Sequence, residues 1–337
     1  VNFVDKHREK MLQFDLSFFE MTAAMAFDYF DQSDVEVAVI ETGLGGRLDA
    51  TNIITPLLSV VTNVAMEHTE YLGDTIEKIA SEKAGIIKKS IPVVVGQRSE
   101  GYNHIFESRA AELRSRVIYA EDEFLLHGIE HFDNENQHFS VERTRDSRTF
   151  ELDIDLLGDY QRHNIITACA AADYLAELTP LTISRRAFRE GLARTAANTS
   201  LMGRWQVIAS EPYTVCDTGH NADGIRYVAA QLEALDTDRI FAVMGFAKDK
   251  DLEAILRLLP KKIHYIFTRA SVERARCVED IAAVATTLGL DFECASTVGE
   301  AIARARSLAL ATDTIFIGGS NFVIAEVTEI ATKIGLD

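Results

Sequence analysis

VEVAVIETGLGGRLDATN, Val35 to Asn52, is the stretch on which the fold turns. Its apolar residues Val35, Val37, Val39 and Ile40 predict a buried strand, which ends on a carboxylate at Glu41 and gives way at once to a loop carrying Gly43, Gly45 and Gly46. In open parallel α/β sheets ligands gather where strands end, so an acid delivered into a backbone-exposing loop is a candidate for metal or substrate work. The plainer alternative for Glu41 is a strand cap followed by a glycine turn.

Upstream, Phe14, Phe18, Met21, Met25 and Tyr29 recur at spacings of three and four, predicting an amphipathic helix over 14–30 whose aromatic face packs in the core. Downstream, PLLSVVTN reads as a second buried strand, and MEHTEYLGD places His68 in its exit loop. Asp74 or Thr75 caps a helix from Ile76 to Lys88 that carries Lys83, with Lys88 and Lys89 complementing its C-terminal dipole. VVVG after Pro92 is a further strand, a helix near Ile105 to Leu113 follows, and VIYA comes next. From Phe124 to Leu157 apolar and polar residues alternate between charged turns, the pattern of a small antiparallel β subsheet. Gly158 ends it, DYQRHNIITACAAADYLAEL is an Ala-dense helix, and another helix runs from about Ser184 to Leu192. The polar, poorly periodic AANTSLMGR marks a domain boundary, dividing the chain into 1–199 and 200–337.

Beyond it, strands Trp205–Ile208, Tyr213–Asp217, Ile240–Met244, Ile263–Phe267 and Thr314–Ile317 are interleaved with helices from about Ala222, Leu252–Leu259, Val278–Leu288, Val298–Leu308 and a last one. Such alternation predicts a doubly wound sheet. DTGHNADG, GFAKDKD and GGSN follow carboxyl ends of these strands, as expected of a ligand-facing edge.

Composition narrows the function. With 337 residues and 47% hydrophobic content the chain can bury a substantial core, enough for two domains. Its 34 Lys and Arg against 52 Asp and Glu give a net charge of -18, which repels nucleic acid and anionic membranes, so an anionic ligand needs a local site. Four cysteines without CxxC spacing favour reduced thiols in a cytoplasmic protein and argue against structural zinc. No apolar run approaches the ~18 residues of a membrane span. The start, VNFVDKHREK, has neither an initiator Met nor a signal-peptide core, and we expect it to lie partway through a longer chain.

Glu41 and His68 lie at consecutive strand exits, with Lys83 on the helix that follows. Carboxylate and imidazole can ligate Mg²⁺ or Mn²⁺, whereas an unmodified lysine cannot and is most simply a surface partner of Glu82 or Glu77. Asp49, between Leu48 and Ala50, could pair with an amino-heterocycle, or make an Asx turn or a salt bridge to Arg47. Asn164 could read an adenine edge or serve as a cap or buried partner. Arg204 suits a phosphate and Asp217 a ribose hydroxyl or metal-bound water. His220 and Asn221 sit at a strand-to-helix turn whose free amides favour an anion.

GLGGRLDATN, MEHTEYLG with EKAGI, MGRWQ, DTGHNADG and GFAKDKD, in that order, resemble the folylpolyglutamate synthase and dihydrofolate synthase branch of the Mur ligase superfamily. The resemblance covers nearly the whole chain. It implies an α/β protein of two domains, a central ATPase domain with a small β subsheet and a C-terminal Rossmann-like, glutamate-binding domain. The implied reaction is ATP-dependent ligation of L-glutamate to dihydropteroate or a folate through an acyl phosphate, with Mg²⁺ neutralising phosphoryl charge. Residue by residue, the resemblance makes Glu41 and His68 magnesium ligands and Lys83 a carbamylated lysine. It makes Leu48, Asp49 and Ala50 pteroate contacts, Asn164, Arg204 and Asp217 ATP contacts, and His220 a glutamate-side catalytic histidine. We expect a monomer acting on small molecules, without nucleic acid or membrane partners.

The family's TNGKGS-like phosphate loop is absent, since no G-x-x-x-x-G-K-[ST] occurs here. We therefore expect an N-terminally truncated fragment unable by itself to hold the β- and γ-phosphates. Tyr160 stands where the family often has His, Met202 where Pro precedes Gly-Arg, and Thr218 and Ala222 fall inside the usual DGAHNP. The competing readings are another Mur-type amino-acid ligase and a non-catalytic folate-binding module.

Overall fold

Helix starts follow side-chain capping chemistry. Ser17, Thr75, Ser184, Asn221, Asp251 and Thr297 each accept a hydrogen bond from the amide three residues on, a contact worth about 1 kcal/mol per helix. The computed structural model describes residues 2–132, 135–179 and 181–334. Its contacts fall into two units, Val1–Phe124 with Ile166–Thr182, and Leu125–Ile165 with Ile183–Asp337. Both are discontinuous in sequence.

The first unit holds α1 (Asn2–Gln13), α2 (Phe18–Gln32), β1 (Ser59–Val61), α3 (Thr69–Leu72), α4 (Ile76–Ala84), β2 (Val93–Val95), α5 (Asn103–Glu112), β3 (Val117–Tyr119), α6 (Ala120–Glu123) and residues 166–178 of α7 (Gln161–Leu178). The strands form a parallel sheet, β1-β2-β3, with Val60 opposite Val94 and Val94 opposite Ile118. Val61, Ala80, Ile87, Val93, Val95 and Phe106 make its buried core, each large side chain contributing roughly 1.5–3 kcal/mol.

Two expectations fail in this unit. Residues 35–40 form no strand, and Val35, Val37 and Val39 are exposed, Val39 at 92%. A strand is stable only when a neighbour takes its amides and carbonyls, and this stretch pairs with none of the described strands, so its alternation has no sheet to enter. The aromatic face expected to be core is also exposed at Phe14, Phe18, Met25 and Tyr29, leaving Ala23 as the buried residue of α2. Periodicity identified the helix from Phe18 onward, with Phe14 in the turn before it, and of that face only Met21 is partly buried.

The second unit contains residues 125–132 of β4 (Phe124–Phe132), with β5 (Gln137–Arg143) and β6 (Arg148–Ile154), in the order β4-β5-β6 with β5 and β6 antiparallel, matching the expected subsheet. After α8 (Arg185–Ala193) and α9 (Thr195–Thr199) come β7 (Gln206–Ser210), β8 (Tyr213–Asp217), α10 (Ala222–Ala234), β9 (Ile240–Met244), α11 (Leu252–Leu256), β10 (His264–Phe267), α12 (Val278–Leu288), β11 (Asp291–Cys294), α13 (Val298–Leu308), β12 (Thr314–Gly318) and α14 (Asn321–Ile334). Six strands run in the order β11-β10-β9-β12-β8-β7, parallel except for β7 at one edge. Apolar clusters cover both faces, Trp205, Ile225, Tyr265 and Phe316 in one and Val243, Ile266, Ile317 and Val323 in the other. β11 is a strand that the sequence pattern did not predict. Among the described residues no helix is long and apolar enough to cross a membrane.

Candidate active site

In the first unit the glycine loop lies on α4. A Cβ at Gly46 would come within 2.8 Å of the Glu82 carbonyl oxygen and 3.2 Å of Lys83 Cα, so only glycine allows this approach without displacement. The Arg47 amide donates to the Glu82 carbonyl at 2.9 Å, and its guanidinium donates to Glu82 Oε1 at 2.9 and 3.1 Å. Asn52 Nδ2 donates to the carbonyls of Arg47 and Gly85, and Lys88 Nζ donates to that of Asn52. The loop is thus pinned against the turn that carries Lys83.

Asp49 uses its carboxylate inside the loop. Oδ1 accepts from the amide and hydroxyl of Thr51, at 2.9 and 2.5 Å, and Oδ2 accepts from the Leu44 amide at 2.9 Å. It caps the single 3₁₀ turn Ala50–Ile53, which is the Asx alternative, while Leu48 projects into solvent and Ala50 is half-buried. Arg47 pairs with Glu82 rather than with Asp49.

Glu82 is thereby engaged by Arg47, and Lys83 sits half-buried on α4. Burial lowers the Lys83 pKa below the ordinary lysine value, partly opposed by the charge of Glu67. Glu41 and His68 are exposed. His68 holds a left-handed backbone (φ 51°) at the start of α3, a conformation uncommon for a non-glycine residue. Among the described residues, no three His, Cys, Asp or Glu side chains come together as a metal cage.

In the second unit the exit of β8 gathers Arg204, Asp217 and His220. Asp217 ends the strand at 2% exposure. Its Oδ2 accepts from the Trp205 amide and the Tyr160 hydroxyl, both at 2.8 Å, and its Oδ1 accepts from the Gly219 amide at 2.7 Å. Burial nevertheless raises the Asp217 pKa above the usual carboxylate value, outweighing these donors and the charge of Arg204. Arg204 Nη1 donates to Thr218 Oγ1 and to the Gly203 carbonyl.

His220 Nδ1 lies 2.9 Å from the Thr218 carbonyl, which can only accept, so Nδ1 carries the proton and Nε2 is the basic nitrogen of the neutral ring. Asn221 caps α10 through the Gly224 amide, so the chain's own side chain uses the helix terminus expected to favour an anion. Asn164 Nδ2 donates to Gln161 Oε1 at 2.8 Å in the first turn of α7. Tyr160 and the amides of Trp205 and Gly219 were missed by sequence reasoning. The one signal was the position of Tyr160 in GDYQRHN, because its bond to Asp217 spans 57 residues. A buried carboxylate, a guanidinium and a basic imidazole nitrogen at one strand exit can bind hydroxyl and phosphate groups and accept a proton.

Residues 17–172 match the Mur ligase middle domain, and residues 203–321 match the Mur ligase glutamate ligase domain. The chain is 34% identical over 319 residues to a probable bifunctional folylpolyglutamate synthase/dihydropteroate synthase of Haloferax volcanii, covering 94% of this chain and 37% of that protein. To the dihydrofolate synthase/folylpolyglutamate synthase of Escherichia coli it is 30% identical over 324 residues, 94% of this chain and 69% of that protein. Among solved structures, E. coli FolC in complex with DHPP and ADP superposes with a TM-score of 0.81 at 28% identity, over 94% of this chain and 72% of that one. Mycobacterium tuberculosis folylpolyglutamate synthase complexed with ADP gives 0.84 at 27% identity, over 97% and 77%. The chain spans 37% and 58% of the length of its relatives from H. volcanii and Lacticaseibacillus casei. It belongs to the folylpolyglutamate synthase/dihydrofolate synthase branch of the Mur ligase family.

Proposed function

We propose that the protein works as an ATP-dependent ligase joining the amine of L-glutamate to the carboxylate of dihydropteroate or a folate. The observation that carries this reading is the convergence of Arg204, Asp217 and His220 at the β8 exit, within the stretch matching a glutamate ligase domain. Relatives bound to DHPP and ADP, or to AMPPNP and Mn, support the choice of substrates.

The substrate carboxylate attacks the γ-phosphorus of ATP, and ADP leaves. The glutamate amine then attacks the acyl carbon, its nitrogen gives up a proton, and the C–O bond to phosphate breaks, leaving the amide and inorganic phosphate. With His220 Nδ1 turned to the Thr218 carbonyl, Nε2 is the ring nitrogen placed to take that proton. Arg204 meets phosphate, Asp217 accepts from a ribose hydroxyl, and Asn164 faces adenine. Leu48 and Ala50 meet the pteroate, with Asp49 holding their loop in shape.

Magnesium commonly takes one or two side chains and completes its shell with water and phosphate oxygens, so Glu41 and His68 suffice without an all-protein cage, and the ion would neutralise phosphoryl charge. Lys83, carbamylated, would contribute a further anion. Its lowered pKa supports this role, because the neutral amine is the form that adds to CO₂ and then releases a proton. A carbamate signal after incubation with ¹³C-bicarbonate, lost in Lys83→Met, is the expected result, and its absence in the parent protein removes the assignment.

In this reading residues 1–199 are the ATPase domain and 200–337 the glutamate-binding domain, supported by the matches to 17–172 and 203–321. It places a monomer in the cytoplasm, and the net charge of -18 opposes anionic polymers and membranes. The test is a ligase assay on protein from the full reading frame containing this chain, with ATP, Mg²⁺, L-glutamate and either dihydropteroate or tetrahydrofolate. We expect glutamate-dependent phosphate release with at least one acceptor. Release with neither overturns the reading.

A further inference from the structure

The Asp217 carboxylate can be accounted for lone pair by lone pair. An ionised carboxylate offers about four acceptor sites. Oδ2 spends both of its sites on the Trp205 amide and the Tyr160 hydroxyl, and Oδ1 spends one on the Gly219 amide. Among the described residues, one acceptor site remains unspent, on Oδ1. Of the three donors that fix this arrangement, two are backbone amides, and Tyr160 supplies the single side chain.

Tyr160 is itself held. Its ring lies where a Cβ on Gly158 would be, 2.5 Å from the nearest ring carbon, and it meets the edge of Tyr227 at 6.1 Å between centroids and 73° between planes. The next segment back is fastened as well, because the Asp159 amide donates to Gln231 Oε1 at 3.0 Å and Gln231 Nε2 donates to the Leu157 carbonyl at 2.8 Å. Burial, followed by the charge of Asp217, pushes the Tyr160 pKa far above the usual tyrosine value, so the hydroxyl keeps its proton and stays a donor.

We propose that Tyr160 is a positioning residue for nucleotide recognition: it locks the Asp217 carboxylate in the one orientation that presents a single open lone pair to a ribose hydroxyl. This deepens the ligase reading and rests on its assignment of Asp217 to the nucleotide. Without the Tyr160 hydroxyl, Oδ2 regains a free lone pair, and the Trp205 and Gly219 amides alone hold the carboxylate, which is then less tightly oriented. The hydroxyl-bearing ribose then loses part of its advantage over a sugar that carries none.

The experiment compares kcat/KM for ATP with that for 2′,3′-dideoxy-ATP, in the ligase assay above, for the parent protein, Tyr160→Phe and Tyr160→His. A hydrogen bond to a charged group is worth about 1.5–3 kcal/mol, so the parent should prefer ATP by roughly 10-fold or more. Tyr160→Phe should cut that preference by at least about fivefold through a higher KM for ATP, with kcat at saturation little changed. Tyr160→His, which restores an N–H donor, should recover part of the preference. An unchanged preference in Tyr160→Phe overturns the proposal for Tyr160 alone. Absence of any preference in the parent overturns the assignment of Asp217 to ribose, and the role of Tyr160 falls with it. If Tyr160→Phe does not fold, Tyr160→His and Tyr160→Gln decide between the same outcomes by whether the preference follows the donor.

Discussion

Two buried aspartates sit at opposite ends of adjacent parallel strands of the same sheet, and their pKa values are displaced in opposite directions. Asp313, just before β12, is 1% exposed and receives Arg239 Nε on Oδ1 at 3.3 Å, Arg239 Nη2 on Oδ2 at 2.6 Å, and the Leu310 amide on Oδ2 at 2.8 Å. Burial pushes its pKa up, but the guanidinium and the amide outweigh burial and hold it below the usual carboxylate value. Asp217, at the far end of β8, has neutral donors on its oxygens and Arg204 only as a nearby charge, and burial wins. Burial alone therefore says little about what a carboxylate is for. A forked cation makes Asp313 a clamp on the strand starts, whereas the donors on Asp217 are all neutral and leave its charge without a direct ionic partner.

The largest effect that could break this comparison is on activity. Asp217→Asn should lower kcat/KM for ATP by roughly 10- to 100-fold, the value of one hydrogen bond to a charged group, while Asp313→Asn should leave it within about twofold. Equal losses in initial-rate measurements would mean that both carboxylates are structural.

Next comes stability. Asp313→Asn should lower the melting temperature by a few degrees at pH 7, because Arg239 is left facing an amide. The pH dependences should differ in sign. The native pKa of Asp313 is depressed, so its contribution is present above the unfolded carboxylate value and is lost as pH falls through the native one. The native pKa of Asp217 is raised, so its contribution is fullest below the unfolded value and is lost as pH rises through the native one. Melting curves from pH 3 to 7 should therefore show the gap between parent and variant widening with pH for Asp313→Asn and shifting the opposite way for Asp217→Asn. Parallel gaps would show that the two environments do not differ as described. The smallest effect should be that of Arg239→Lys, which keeps the charge but loses the fork and, at a half-exposed site, should cost less than Asp313→Asn.

Much of the sheet carrying both aspartates was legible in the sequence. The continuous runs read as strands at Ile240–Met244 and Thr314–Ile317 are buried along their whole length, and the helices read between the strands begin where expected, at Ala222 and Val298. Strand β11 was not, because Asp291 and Glu293 do not read as buried strand residues, and they are held by His264 and Arg304 on neighbouring elements. Val35 to Ile40 shows the converse, since alternation records a capacity to enter a sheet and the described residues supply no strand beside it.

At the candidate site, residue type and position relative to strand ends were enough to single out Asp217 and His220. The state of each group was not legible, because it depends on distant partners. Tyr160 lies 57 residues from the carboxylate it orients, and Asp49 has its oxygens committed inside its own loop. Residue type reveals what a side chain can do, and only its partners reveal which of those capacities is still free.

The Asp159–Gln231 bond also bears on synthesis. At ribosomal rates of about 5–20 residues per second, Gln231, 72 positions downstream, is made roughly 4–14 seconds after Asp159. Throughout that interval the segment leading into α7 has no Gln231 to fasten it, and Tyr160 waits almost as long for its aspartate. The earliest time at which the carboxylate can be set is thus fixed by translation, so slower decoding between these codons would lengthen the exposure of a half-built pocket.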